Sequence, residues 1–440
     1  MCPVNESFPC QTGVRAPRTQ RPSADLMKRR RFIRTGVTLS VIVLAQVTGP
    51  MADAATNPTA KTTAKTTAKT AAKTAASAKA AAINKAVDDA IGFVETARAQ
   101  KFVFRPKIEI LDDKPFVAKF KSLQNADPDY KKQSVEIDQT LRSLGFIPST
   151  GDAKTVLDAL TSAGIGGFYD PETKLMTIRG TTVSPLVRTV LVHELTHALD
   201  DQLHDLDRPE LENVTDGSDE AFQYFVEGIA RWVENSYRDS LSKAEKSRLA
   251  IEETRMSLEP GLIEVLVDPG YRQAIAFLLP VFLSPYELGK ELIADLVKAE
   301  GKVGIDNAYA SLPKTVEQAS SYEKYKAREV ATRVAVPRAN GQRVTSGTFG
   351  IGALNALILS GEGVSAELKL LDSARGWGGD QYIVYQRSDK KFCLRLDLAM
   401  DSAADLVEVK AGLISFASSV PRAKVSLITD SLLRLDSCEV

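Results

Sequence analysis

Val190–Leu206 reads VLVHELTHALDDQLHDL, and the rest of the chain is read outward from it. It contains His193-Glu194-Leu195-Thr196-His197, and all three histidines of the 440 residues (His193, His197 and His204) fall inside it. On a helix, positions four apart share a face, so His193 and His197 can direct two imidazole nitrogens at one metal ion. Glu194, next to the first ligand, can reach a water bound to that ion and act as general base. His204 lies two turns beyond His197, about 10 Å along the axis, too far to share the ion. The competing reading is an amphipathic helix with two solvated histidines.

Before this stretch, Phe168–Arg179 (FYDPETKLMTIR) predicts a β-hairpin turning at Asp170-Pro171-Glu172-Thr173. An edge strand placed there can take an extended peptide through main-chain hydrogen bonds. Ser184 fits a helix N-cap and Pro185 the first helical position. After the motif, Glu220–Ser240 reads as a helix with Phe222, Phe225, Val226, Ile229 and Val233 inward. Its Glu220, Glu227 and Glu234 are seven apart and share one stripe. A catalytic zinc takes three protein ligands and leaves a position for water. Glu227 is the first choice for the third, because Gly228 behind it allows close helix approach; Glu220 is the alternative and Glu234 follows. Asp201, four residues past His197, is a candidate to orient an imidazole. Hydrolysis of an amide also needs an oxyanion donor, and Tyr169, Tyr224, Arg231 and Tyr237 are local candidates that sequence does not rank.

The formal net charge is zero, with no basic bias towards nucleic acid. Residues 1–54 hold eight Lys/Arg and three Asp/Glu, leaving 48 against 53 and a net of −5 for the remainder. Lys28-Arg29-Arg30-Arg31-Phe32-Ile33-Arg34 resembles a twin-arginine export motif. The apolar run Val37–Val47 is short for a bilayer span, which needs about 20 residues, and Ala52-Asp53-Ala54 offers a cleavage site. The expectation is an exported protein, periplasmic or extracellular, without a stable membrane span once the signal is removed; a retained anchor is the alternative. Residues 55–82 are a low-complexity Lys/Thr/Ala linker with no large side chain to bury, a solvated tether with cell-envelope contact as a candidate role. Cys393 and Cys438 form an even pair in apolar, strand-like surroundings, either bridged or two buried thiols.

Residues 83–150 read as an N-terminal α/β segment and candidate prodomain, with a strand over Phe102–Leu111 and helices over Phe116–Leu123 and Val135–Leu144. Residues 151–336 form the metal-binding core, whose Leu262–Ala299 is helical but interrupted at Pro280 and Pro285. In 337–440, helices over Thr348–Ser360 and Ala403–Ser418 alternate with strands over Gln381–Gln386, Phe392–Leu398 and Lys424–Ile428. The fold class expected is α+β, with a C-terminal α+β module.

His193–Gln202 (HELTHALDDQ), followed by Val226-Glu227-Gly228-Ile229-Ala230, resembles the gluzincin type of zinc metallopeptidase. More narrowly, the chain resembles a largely uncharacterised group of exported bacterial proteins. That group adds a Pro-x-[ST]-x-Glu-Gln segment, here Pro313–Gln318, and a GWGGD segment, here Gly376–Asp380. Relatives carry a histidine just after Glu-Gln, where this chain has Ala319-Ser320. The resemblance spans roughly Phe102 to the C-terminus. It implies a zincin-like core, one Zn2+ held by His193, His197 and Glu227, Glu194 as general base, and endopeptidase action on a peptide or protein substrate. Other classes to weigh are a non-catalytic zinc-bearing binding protein and a zinc hydrolase of cell-wall amides.

Overall fold

The computed structural model describes residues 38–41, 65–211, 217–362, 374 and 376–440. The export-signal reading lies outside the described residues apart from Thr38–Val41, as does the linker up to residue 64. The elements run β1 (Thr38–Val41), α1 (Lys65–Arg98), β2 (Lys107–Leu111), α2 (Asp113–Ala126), α3 (Pro128–Ser143), α4 (Ala153–Gly164), β3 (Ile165–Asp170), β4 (Leu175–Arg179) and α5 (Pro185–His204). Then come α6 (Ser218–Ser240), α7 (Lys243–Ser257), α8 (Pro260–Val267), α9 (Arg272–Glu300), α10 (Val303–Tyr309), α11 (Val316–Ser320) and α12 (Tyr322–Ala327). The chain closes with β5 (Gln342–Gly347), α13 (Gly350–Glu362), β6 (Trp377–Gln386), β7 (Phe392–Met400), α14 (Ala403–Ser419), β8 (Lys424–Thr429) and β9 (Leu432–Cys438). The class is α+β, and among the described residues no helix is long and apolar enough to cross a membrane.

The first sheet has the order β1-β3-β4-β2. β3 and β4 form the expected hairpin, β2 joins β4 in parallel, and β1 pairs antiparallel with β3, Thr38 opposite Tyr169 and Leu39 opposite Phe168. The strand expected from Phe102 begins only at Lys107, since Pro106 has no N–H to give a ladder. β3 lies directly on α5. A Cβ at Gly167 would come 2.7 Å from Val190 Cγ1 and 3.1 Å from Glu194 Cγ, so a side chain there would push strand and helix apart.

α5 starts as expected, with the Ser184 side chain accepting from Val187 N and Pro185 in the first turn. α1 covers one side of it, burying Val87, Ala90, Val94 and Ala97 against the cluster that holds Val190, Leu191 and Leu195. This helix begins at Lys65, well before the start of order expected near Ile83. Ala and Lys are strong helix formers, and once the buried end is folded each added residue extends it without a new nucleus.

α6 crosses α9 at a glycine pair. A Cβ on Gly228 would lie 2.4 Å from the Gly289 carbonyl carbon, and one on Gly289 would lie 1.9 Å from the Tyr224 carbonyl oxygen. Gly228 thus allows a close approach, but to α9 rather than to the motif helix. α9 runs unbroken through Pro280 and Pro285 where interruption was expected. Its buried face, including Phe277, Leu278 and Leu288, packs into the main core, and tertiary burial overrides local propensity.

The C-terminal sheet has the order β5-β6-β7-β9-β8, all antiparallel. Cys393 and Cys438 face each other across β7 and β9 and are joined by a disulfide. The core beneath this sheet is continuous with the helices before it: Phe146 packs on both Phe277 and Phe416, and Ser437 Oγ donates to the Ser143 carbonyl at 2.7 Å. One apolar core therefore crosses the sequence boundaries drawn at 150 and 336.

Candidate metal centre

His193 and His197 sit one turn apart on α5, both almost fully buried, with ring centroids 4.9 Å apart. α6 brings Glu227 to them. The separations are 3.1 Å between the two Nε2 atoms, 3.2 Å from His193 Nε2 to Glu227 Oε2, and 3.3 Å from His197 Nε2 to the same oxygen. A tetrahedral ion with ligand bonds of about 2.0–2.1 Å needs ligand–ligand edges of roughly 3.3–3.4 Å. Three donors already at nearly that spacing, two nitrogens and one carboxylate oxygen, could hold a divalent metal ion, and zinc is among those their geometry and chemistry suit.

The electrostatics agree. Burial opposes charge on His193, but Glu227 and Glu234 overcome it and push its pKa up to about 9. Burial would raise Glu227, yet the two imidazoles bring it down to about 2. His197 is lowered, because burial outweighs the Glu227 carboxylate. The surroundings that favour a proton on His193 favour a divalent cation still more. Glu194, wholly buried, lies on the same helix beside His193 and against Gly167 of β3.

Behind the triad, Glu234 Oε2 meets His193 Nδ1 at 2.9 Å. Its other oxygen accepts from Arg231 Nη1 at 2.9 Å and Arg238 Nε at 2.7 Å. Burial opposes its charge, yet Arg231, His193 and Arg238 keep this carboxyl well below the usual range. The stripe of three glutamates is thus divided: Glu227 meets both imidazoles, Glu234 supports one from behind, and Glu220 lies elsewhere. Glu220 faces Gly350, whose Cβ would meet both its carboxylate oxygens at 3.2 Å.

The remaining candidates are dispersed. Asp201 does not reach an imidazole: it accepts from Tyr169 at 2.6 Å, Lys174 at 2.9 Å and Leu206 N at 3.0 Å, tying the end of α5 to the β3–β4 hairpin. That bond also occupies the Tyr169 hydroxyl. Tyr224 bonds Ser284 where α6, α9 and α13 meet, and Tyr237 packs edge-on against Phe93. Arg231 stands behind His193, on Glu234. His204, excluded from the ion by its spacing, stacks on Tyr309 at 4.0 Å and lies 3.1 Å from Asp306. Sequence reasoning missed Tyr286 of α9. Its ring centroid is 5.9 Å from that of His193, the Arg231 guanidinium lies 5.6 Å from it, and burial with Glu227 and Glu194 nearby raises its pKa well above the usual 10. The only available signal was its place one turn before Gly289.

The other two segments that carry the resemblance have structural work. Asp380 accepts from Phe349 N, Gly350 N and Trp377 Nε1, fastening the start of α13 to β6. Gln318 accepts from Lys314 N and donates to the Glu329 carbonyl. Glu317, Glu329 and Asp401 converge as a second acidic group, with the Lys324 ammonium ion-paired to all three. The chain matches no family model, no curated protein and no solved structure.

Proposed function

We propose that the protein is a zinc-dependent peptidase with a zincin-like core, in which His193, His197 and Glu227 would hold the ion. The observation that carries this reading is the three-donor spacing, with a buried Glu194 on the same helix turn. Zinc held there supplies Lewis acidity, lowering the pKa of a water towards neutrality and polarising the scissile carbonyl. Glu194 takes a proton from the attacking water and returns it to the leaving amine as the C–N bond breaks. Glu234, clamped by two arginines, keeps the His193 ring in place with Nε2 turned to the triad.

Peptide is the favoured substrate because β3, pressed on Glu194, pairs along its outer edge with β1, and removal of β1 with the export signal would leave that edge for an extended peptide. Export is part of the same proposal, and the Cys393–Cys438 bridge supports an oxidising compartment. Casein zymography tests the activity: clearing should vanish with chelator, return with zinc and be absent in Glu194→Gln, which keeps its metal. Clearing by that variant at the wild-type rate would sink the assignment of the base. Zinc bound with no hydrolysis of casein would leave a binding protein, or an amide hydrolase to be assayed on peptidoglycan.

A further inference from the structure

The first half of α1 is a basic helix on an acidic protein. Residues 65–82 are Lys, Thr, Ala and Ser alone, with lysines at 65, 69, 73 and 79. Residues 83–440 hold 43 Lys/Arg against 53 Asp/Glu, a net of −10. α1 and α5 run in the same direction: Ile83 and Ala86 lie beside Val187 and Leu191, while Arg98 reaches Asp200. Lys65 comes eighteen residues before Ile83, so α1 starts about 27 Å along its axis ahead of the first turn of α5. At about 100° per residue, positions 65, 69, 73 and 79 fall within an arc of about 120°. Further along, the same arc holds the buried Val87, Ala90 and Val94, so the packing of α1 on α5 fixes which way the lysine stripe turns. Position 85 falls on the opposite side, where Lys85 pairs with Asp89. Lysines four apart on a helix repel one another, and no Asp or Glu stands between Asp53 and Asp88 to offset them locally.

Such a stripe calls for an extended anion. It has no Leu, Phe or Trp to enter a bilayer of anionic lipid. It has no aromatic ring to stack on a base and no arginine to read one. Lysines 65, 69 and 73, about 6 Å apart along the axis, suit phosphates repeated along a thread, each met as a point charge. We infer that the Lys65–Lys79 face of α1 is a binding surface for a linear polyol phosphate, a phosphodiester polymer without bases. The acidic remainder of the chain is repelled by the same polymer, so the helix makes the contact and holds the rest away. This surface owes nothing to the metal centre and stands whether or not the protein is a peptidase.

The test titrates the full-length protein and two full-length variants with poly(glycerol phosphate). The first variant combines Lys65→Gln, Lys69→Gln, Lys73→Gln and Lys79→Gln, since Gln sustains a helix about as well as Lys. The basic run Lys28–Arg34 is common to both proteins, so any difference belongs to α1. Log affinity should fall with log salt more steeply in wild type by about 2.8, the share of four charge contacts on a flexible polyanion. From about 50 to about 200 mM salt, wild type should thus lose roughly 50-fold more affinity than the variant. The second variant combines Thr67→Lys, Lys69→Thr, Ala71→Lys and Lys73→Ala, which keeps the composition and moves two lysines about 200° round the helix. It should keep about half of the added slope. Both variants should match wild type in melting temperature. Equal affinity of wild type and the Gln variant would overturn the surface. Equal affinity of wild type and the shifted variant would overturn the helical face and leave a flexible basic tether. Tighter binding to phosphatidylglycerol vesicles or to single-stranded DNA at the same salt, or salt-sensitive self-association without polymer, would give the stripe another partner and overturn the proposal.

Discussion

Glu234 Oε2 lies 2.9 Å from His193 Nδ1, and this pair fixes which imidazole nitrogen faces Glu227. With Nδ1–H donated to the carboxylate, it is the Nε2 proton that a metal would displace, leaving that nitrogen's lone pair for the ion. Arg231 and Arg238 hold Glu234 from the other side, so the acceptor cannot rotate away. Glu234→Gln keeps the shape but weakens the acceptor. Zinc affinity, measured by competition with a chromophoric chelator, should fall by ~10- to 100-fold. Unchanged affinity would mean that His193 is positioned by packing alone.

The third ligand can be assigned by metal content. Glu227→Ala removes the carboxylate that, among the described residues, meets both imidazole Nε2 atoms, so the purified variant should retain little zinc after dialysis. Glu220→Ala should retain about one ion per chain, the stoichiometry of a catalytic site. The reverse result would move the ligand to Glu220, against the placement of Glu227 beside both imidazoles.

Much of this centre was legible because its parts are close in sequence or periodic. His193, Glu194 and His197 occupy one turn, and the Ser184-Pro185 start needs only local chemistry. Glu227 was reachable because a metal held by two histidines of α5 would need a further donor, and three glutamates of α6 share one stripe. Tyr286 was not, since nothing local says that Gly228 meets Gly289 rather than α5. Asp201 failed for a related reason: the hairpin of Tyr169 and Lys174 claims a side chain that helical spacing alone would aim at His197. β5 escaped notice because its residues are at least partly exposed and lack alternation, whereas β9 buries Leu433 and Leu435 in a period of two that could have been read.

The glycine crossing should be intolerant of a methyl group. Gly289→Ala places Cβ 1.9 Å from the Tyr224 carbonyl oxygen, with backbone on both sides. Destabilisation in urea should reach or exceed the ~1–3 kcal/mol typical of overpacking. Gly92→Ala in α1, where nothing lies within 4 Å, should instead stabilise by about 0.5–1 kcal/mol. Equal midpoints for Gly289→Ala and wild type would show that the helices can separate at little cost.

α1 is tied to the motif helix by a buried ion pair, which bears on whether residues 83–150 form a removable prodomain. Arg98 donates to Asp200 Oδ1 through Nε at 3.0 Å and Nη2 at 2.7 Å, with the two side chains 0% and 2% exposed. Asp200 also accepts from Tyr309, linking α10 to the same point. Arg98→Ala strands a buried carboxylate, at a cost of about 3–5 kcal/mol. If the unfolding free energy changed by less than a tenth of that, α1 would be a loosely held cover, and a prodomain role would regain force.

Glu220 should make the protein less stable as pH rises. Burial is the largest influence, Asp219 and Asp380 add repulsion, and together they push its pKa up to about 8. The folded state thus holds a proton that the unfolded chain has released above the ordinary value near 4.5. Below that value the two states are equally protonated and nothing is lost. As pH climbs through the interval, folding must either retain the proton or accept charge beside Asp380, and stability falls until pH passes about 8. Asp380 adds to the same slope, since burial outweighs its three hydrogen bonds and lifts it to about 6. Glu220→Gln removes the titration while keeping the shape against Gly350. Its melting temperature relative to wild type should therefore rise between about pH 5 and about pH 8 and then level off, and the zinc content should not change. A constant difference across that range would show that Glu220 ionises freely in the folded protein.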